Sequence, residues 1–152
     1  METTLNLDKN TIRGVQDLIE INIDSSKGFA EAADKIENSD IATFFRRCGE
    51  RRDVFARELQ RAVATSGEEP KTSGSLAGTL HRWWLDLRGT VQDGDEHGVL
   101  SEAERGEDAI KGRYESVLKS TTGSPLNATL QEQYVSVKND HDMIRDMRDA
   151  RA

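Results

Sequence analysis

Four stretches of about 26–29 residues each carry one apolar stripe at heptad spacing, and this pattern constrains the fold more than any other feature. The first, at about 9–37, reads Ile12, Val15, Ile19, Asn22, Ser26, Phe29, Ala33, Ile36. The second, at about 39–66, reads Ile41, Phe45, Cys48, Arg52, Phe55, Leu59, Ala62. A further pair, at about 95–120 and 124–150, reads Leu100, Ala103, Glu107, Ile110, Tyr114, Val117 and then Leu130, Tyr134, Val137, His141, Ile144. At 1.5 Å per residue each helix is about 40 Å long. Matched lengths with one stripe apiece suit an all-α four-helix bundle.

The breaks between stretches carry turn and cap chemistry. Residues 37–40 (ENSD) offer short side-chain acceptors for a helix start, and residues 67–74 (GEEPKTSG) hold two glycines and a proline. Residues 92–98 (QDGDEHG) contain an Asp-Gly turn signal, and 121–125 (TTGSP) predicts Ser124 as N-cap with Pro125 at the first helical position. No period-2 run or internal repeat occurs, and 152 residues suit a single domain over 1–152. Between the two hairpins lies a shorter amphipathic helix at about 75–91, with Leu76, Leu80, Trp84, Leu87 and Val91 on one face. It is long enough to carry the chain back along the bundle. The expected architecture is therefore two antiparallel hairpins joined by a long crossover that contains a short fifth helix, the ferritin-like arrangement.

Four large polar residues interrupt the stripes, one per long helix: Asn22, Arg52, Glu107 and His141. The helix midpoints fall near residues 23, 52, 107 and 137, and midpoints of antiparallel helices share one height. The interruptions therefore predict one buried polar layer. A buried charge needs a partner, and Arg52 with Glu107 supplies a guanidinium fork for a carboxylate. Lys138 is expected to join this layer, with Asp53 flanking it.

Composition narrows the function classes. With 21 Lys and Arg against 28 Asp and Glu the net charge is −7, which disfavours nucleic acid and anionic membranes as partners. Cys48 is the single cysteine, so an internal disulfide and a cysteine-based zinc cluster are excluded. No apolar run spans a bilayer, and the first ten residues (METTLNLDKN) lack a secretory pattern, so a cytoplasmic location is expected. No phosphate loop, dinucleotide fingerprint or nucleophile elbow is present, which favours a non-catalytic protein.

The segment at 103–114 (AERGEDAIKGRY) resembles the third core helix of rubrerythrin-type proteins, where a Gly-Glu pair precedes a tyrosine by seven residues, as Glu107 precedes Tyr114. Over nearly its full length the chain resembles a bacterial ferritin-like four-helix-bundle family of unknown function. Gly28-Phe29 with Ala32-Ala33, residues 74–78 (GSLAG) with His81 and Trp84, residues 104–108 (ERGED), and Tyr134 through His141 carry that resemblance. It implies a ferritin-like fold, an ancestral di-iron layer and a role that hints at stress. Measured against the di-iron plan, Asn22 stands in place of Glu, Arg52 and Phe55 in place of Glu-x-x-His, and Lys138 in place of the Glu three before His141. Glu107 and His141 alone match, too few for a stable iron site. The expectation is a degenerate di-iron site filled by a salt-bridged network, with no cofactor. The alternative is an iron site for iron oxidation, storage or peroxide chemistry, using Glu107 and His141 with Glu104, Glu50 and Glu20 recruited.

Lesser signals have plainer readings. Residues 93–104 (DGDEHGVLSEAE) nearly match a calcium loop, but His97 occupies a ligand position, so a capped helix start is the expected reading. His81 and His97 are expected in solvent. Trp84 is expected to pack on the bundle, and Trp83, off the stripe, to mark a homodimer surface. Cys48 is expected as a small buried hydrophobe.

Overall fold

In the computed structural model of the chain, which describes residues 6–74 and 87–151, no strand occurs among the described residues. The helices are α1 (Lys9–Lys35), α2 (Ser39–Thr65), α3 (87–93 as far as described), α4 (Glu96–Ser120) and α5 (Asn127–Asp149). The crossover positions Leu76, Leu80, His81, Trp83 and Trp84 lie outside the described residues.

Three helices start on a side-chain cap. The Asp8 carboxylate accepts from Thr11 N, Asn38 Oδ1 accepts from Asp40 N and Ile41 N, and Asp95 accepts from Gly98 N. At the end of α2, Glu68 N donates to Val63 O and Gly67 N to Ala64 O, with Gly67 at φ 85°. This is the paired bonding that lets a glycine take the left-handed turn closing a helix. One expectation fails locally. Ser124 does not cap α5: its Oγ accepts from Leu126 N within a turn, and the helix starts only at Asn127. Residues 93–104 form the expected capped helix start: α4 begins at Glu96, with Asp95 as its cap.

Cross-helix contacts give the directions. Asp34 meets Arg46 and Ser26 meets Gly49, so α1 and α2 are antiparallel. Glu115 meets Tyr134 and Glu104 meets Arg148, so α4 and α5 are antiparallel. Gly14 meets Val117 and Asn22 meets Tyr114, which sets α4 antiparallel to α1 and hence parallel to α2. Asn38 lies 3.4 Å from Glu96, so α2 and α4 begin at the same end. α2 therefore ends at the end of the bundle opposite to the start of α4.

All four long helices share the interior, which falls into two apolar halves. One holds Val15, Leu18 and Ile19 with Leu59, Ile110, Tyr114, Leu130 and Val137. The other holds Phe29, Phe45 and Cys48 with Leu87, Val91, Leu100 and Ile144. Phe29 and Phe45 meet edge to face at 5.1 Å. Between the halves, each helix presents polar residues to the centre.

Candidate functional site

That dividing layer is built around Arg52, which like Glu107 is 0% exposed. Arg52 Nη1 donates to Glu107 Oε1 at 2.7 Å and Nη2 to Oε2 at 2.5 Å, a two-pronged pair between α2 and α4. Nη1 also donates to Ser25 Oγ of α1 at 2.9 Å, and Nη2 to Asp140 Oδ2 of α5 at 3.1 Å. One guanidinium thus ties all four long helices. Its Cζ also lies 5.6 Å from the Phe29 ring centroid, within cation–π range. The other Asp140 oxygen accepts from Arg51 at 2.6 Å, so a half-exposed cation shares the buried carboxylate.

Burial alone would lower the Arg52 pKa, but the charge and hydrogen bonds of Glu107, with Asp140 adding, carry it above its ordinary value. On Glu107 burial pushes the carboxyl upward, and Arg52 pulls it only part of the way back. These directions pull against each other over the pair's charge, and the geometry decides. Both Glu107 oxygens face N–H donors, and a guanidinium has no acceptor for a carboxyl proton, so the pair is ionised.

One turn along, a neutral network crosses the bundle. Asn22 Nδ2 donates to Leu18 O and to Tyr114 Oη, each at 2.8 Å, and Tyr114 Oη donates to Gln133 Oε1 at 2.9 Å. Asn22 is thus buried, as its stripe position predicts, but serves Tyr114 and not Arg52.

The expected layer is corrected in two places. Lys138 is exposed and takes no part; the α5 residue that reaches Arg52 is Asp140. His141 is buried but faces the flank of α4, where its Nε2 lies 2.7 Å from Asp108 Oδ1 and 4.0 Å from Glu104 Oε1. Sequence reasoning missed Asp140, Ser25, Gln133 and Asp108. The acids of the alternative iron site do not converge: Glu50 is exposed, Glu20 pairs with Lys71, and Glu107 is committed to Arg52. Only Glu104 and His141 of that set stand together, with Asp108 as the third member.

A di-iron centre does not fit this middle layer. A permanent cation sits where metal would lie, and the one carboxylate from the ferritin-like ligand pattern is bound on both oxygens. Cys48 is buried beside the layer, and burial, with Asp140 adding, pushes its thiol far above the ordinary range. It packs in the apolar half, accepts a hydrogen bond from Arg51 Nη2 at 3.6 Å, and has no thiolate character.

A family model described as a domain of unknown function (DUF2383) matches residues 10–120, from α1 through the end of α4, and the chain belongs to that family. No curated protein matches the chain.

Proposed function

We propose that this family member is a ferritin-like bundle whose middle layer has become a structural salt-bridge cluster, and that it acts as a non-catalytic interaction protein. The ferritin-like part rests on helix directions, with α2 and α4 parallel and a long connection at 66–95 between antiparallel hairpins. The non-catalytic part rests on one observation: the fully buried Arg52 fork closes both Glu107 oxygens. The proposed setting is cytoplasmic and stress-related, with a homodimer as the working form; among the described residues no helix is long and apolar enough to cross a membrane.

The test is ferrous iron added without air, followed by oxygen. Protein and buffer are expected to oxidise iron at the same rate, with no oxo-bridged absorbance. Two irons per chain, together with oxidation abolished by Glu107→Gln, would refute the reading. Sedimentation of the full chain reads the dimer, and a monomer at every concentration rejects that part alone.

A further inference from the structure

His141 presents a problem of hydrogen-bond arithmetic. Its Nδ1 lies 3.0 Å from Asp142 Oδ1, and its Nε2 lies 2.7 Å from Asp108 Oδ1. A neutral imidazole carries one N–H and can serve only one of these carboxylates. The other contact then sets a nitrogen lone pair against a carboxylate oxygen, which either a second ring proton or a bound metal ion would turn attractive. On the Nε2 side a second carboxylate oxygen, Glu104 Oε1, stands 4.0 Å away. Glu104 is oriented by its other oxygen, which accepts from Arg148 Nη1, so Oε1 stays turned toward His141.

The backbone accounts for this meeting. Glu104 and Asp108 are four apart on α4 and therefore share a face, and antiparallel α5 brings His141 beside them. One nitrogen and two oxygen donors, from three residues, lie within 4.8 Å of one another. Metal bonds of about 2.0–2.2 Å to such ligands put donors roughly 3.4 Å apart in a tetrahedral shell, so small side-chain rotations suffice. The histidine side chain is 11% exposed and that of Glu104 16%, while Asp108, at 58%, leaves an open path for the ion and a water ligand. Asp142 on Nδ1 is the outer carboxylate that metal-binding histidines use to fix the ring and keep Nε2 free.

We propose that Glu104, Asp108 and His141 form a mononuclear site for a first-row divalent cation of the Mn²⁺ to Zn²⁺ series, on the flank between α4 and α5. Mixed imidazole and carboxylate donors suit that series. This site is separate from the middle layer, whose Arg52–Glu107 pair it leaves intact.

Cobalt(II) is the probe, because its visible bands report donor type and geometry. Titration of the full chain is expected to saturate at one cobalt per chain, with bands of a nitrogen-and-oxygen site. Asp108→Asn should weaken binding at least about tenfold, as should His141→Gln, and Asp142→Asn about 10–100-fold. Glu50→Gln, at an exposed acid on α2, should leave binding unchanged. Asp108 is exposed, so its variant keeps the fold and the test stays readable if His141→Gln does not. No saturable binding, or Asp108→Asn binding as tightly as the parent, overturns the proposal. Binding abolished by Glu107→Gln and untouched by Asp108→Asn would instead refute the salt-bridged middle layer.

Discussion

Replacing Glu107 by alanine removes both acceptors of the Arg52 fork and leaves a guanidinium with no exposed surface. Hydrogen bonds to charged groups contribute about 1.5–3 kcal/mol each, so two give about 3–6 kcal/mol. Breaking a buried pair by removing one partner costs about 3–5 kcal/mol. Ser25 Oγ and Asp140 Oδ2 remain on Arg52, which places this case at the low end, about 3 kcal/mol. In a chain of this length each kcal/mol lowers Tm by about 2–4 °C, so a fall of about 6–12 °C is expected. Urea unfolding followed by circular dichroism at 222 nm measures the free energy directly. Adding Arg52→Leu to Glu107→Ala removes the stranded charge, and Asp140 keeps Arg51 as its partner at 2.6 Å. The double variant should therefore be more stable than Glu107→Ala alone, with a coupling of at least about 1.5 kcal/mol. A Glu107→Ala protein within about 0.5 kcal/mol of the parent, or strict additivity of the two changes, would refute a buried, mutually dependent pair.

Alkaline pH should destabilise the fold, because burial raises Cys48 above its ordinary 9.0 and Tyr114 above its ordinary 10.0. The native state keeps both protons while the unfolded state loses them, so stability is whole below pH 9 and falls by about 1.4 kcal/mol per pH unit above it, then about twice that above pH 10; flat urea midpoints from pH 8.5 to 10.5 would contradict this. For the same reason Cys48 should resist iodoacetamide at pH 8.5 in native protein and react once urea unfolds it. Asn38→Ala loses the acceptor of two amide bonds at the start of α2 and should cost about 1 kcal/mol in the same urea assay. Gly112, in mid-α4 with open space around it, should tolerate alanine with a gain of about 0.5–1 kcal/mol. At Gly49 a Cβ would sit 3.1 Å from Ser26 O, so Gly49→Leu should cost about 1–3 kcal/mol and separate the two glycines by Tm.

The helices and the height of the polar layer were legible because both follow from periodicity. Side-chain membership of the layer was less so. A strict heptad drifts about 20° per repeat on a straight helix, so a stripe read at that spacing walks off the buried face. Ser25 is buried in place of Ser26, and Gln133 more deeply than Tyr134. On α5 the buried positions 133, 137, 140, 141 and 144 follow the 3.6-residue turn. Lys138 lies about 100° round from Val137, out of that face. A spacing borrowed from a ligand motif could find Lys138 but not Asp140. Asp108 was illegible for another reason: it is exposed on the outer flank of α4, and only the neighbouring helix makes it a partner of His141.

The position of the cluster explains why a bundle would retain it. The two hairpins approach each other most closely along α1 and α4. On the opposite side of the bundle, between α2 and α5, the ties are Arg51 and Arg52 to Asp140. Apolar stripes alone tolerate sliding by a turn, because leucine and isoleucine fit several holes almost equally well. A guanidinium that must meet Glu107 on two prongs, Ser25 on one side and Asp140 on another has one acceptable height. Sliding α5 by one turn, about 5.4 Å, would strand Asp140 and leave Arg52 with one fewer anion. The ion cluster therefore sets register where direct packing constrains it least, and its contribution lies in that specificity more than in net stability.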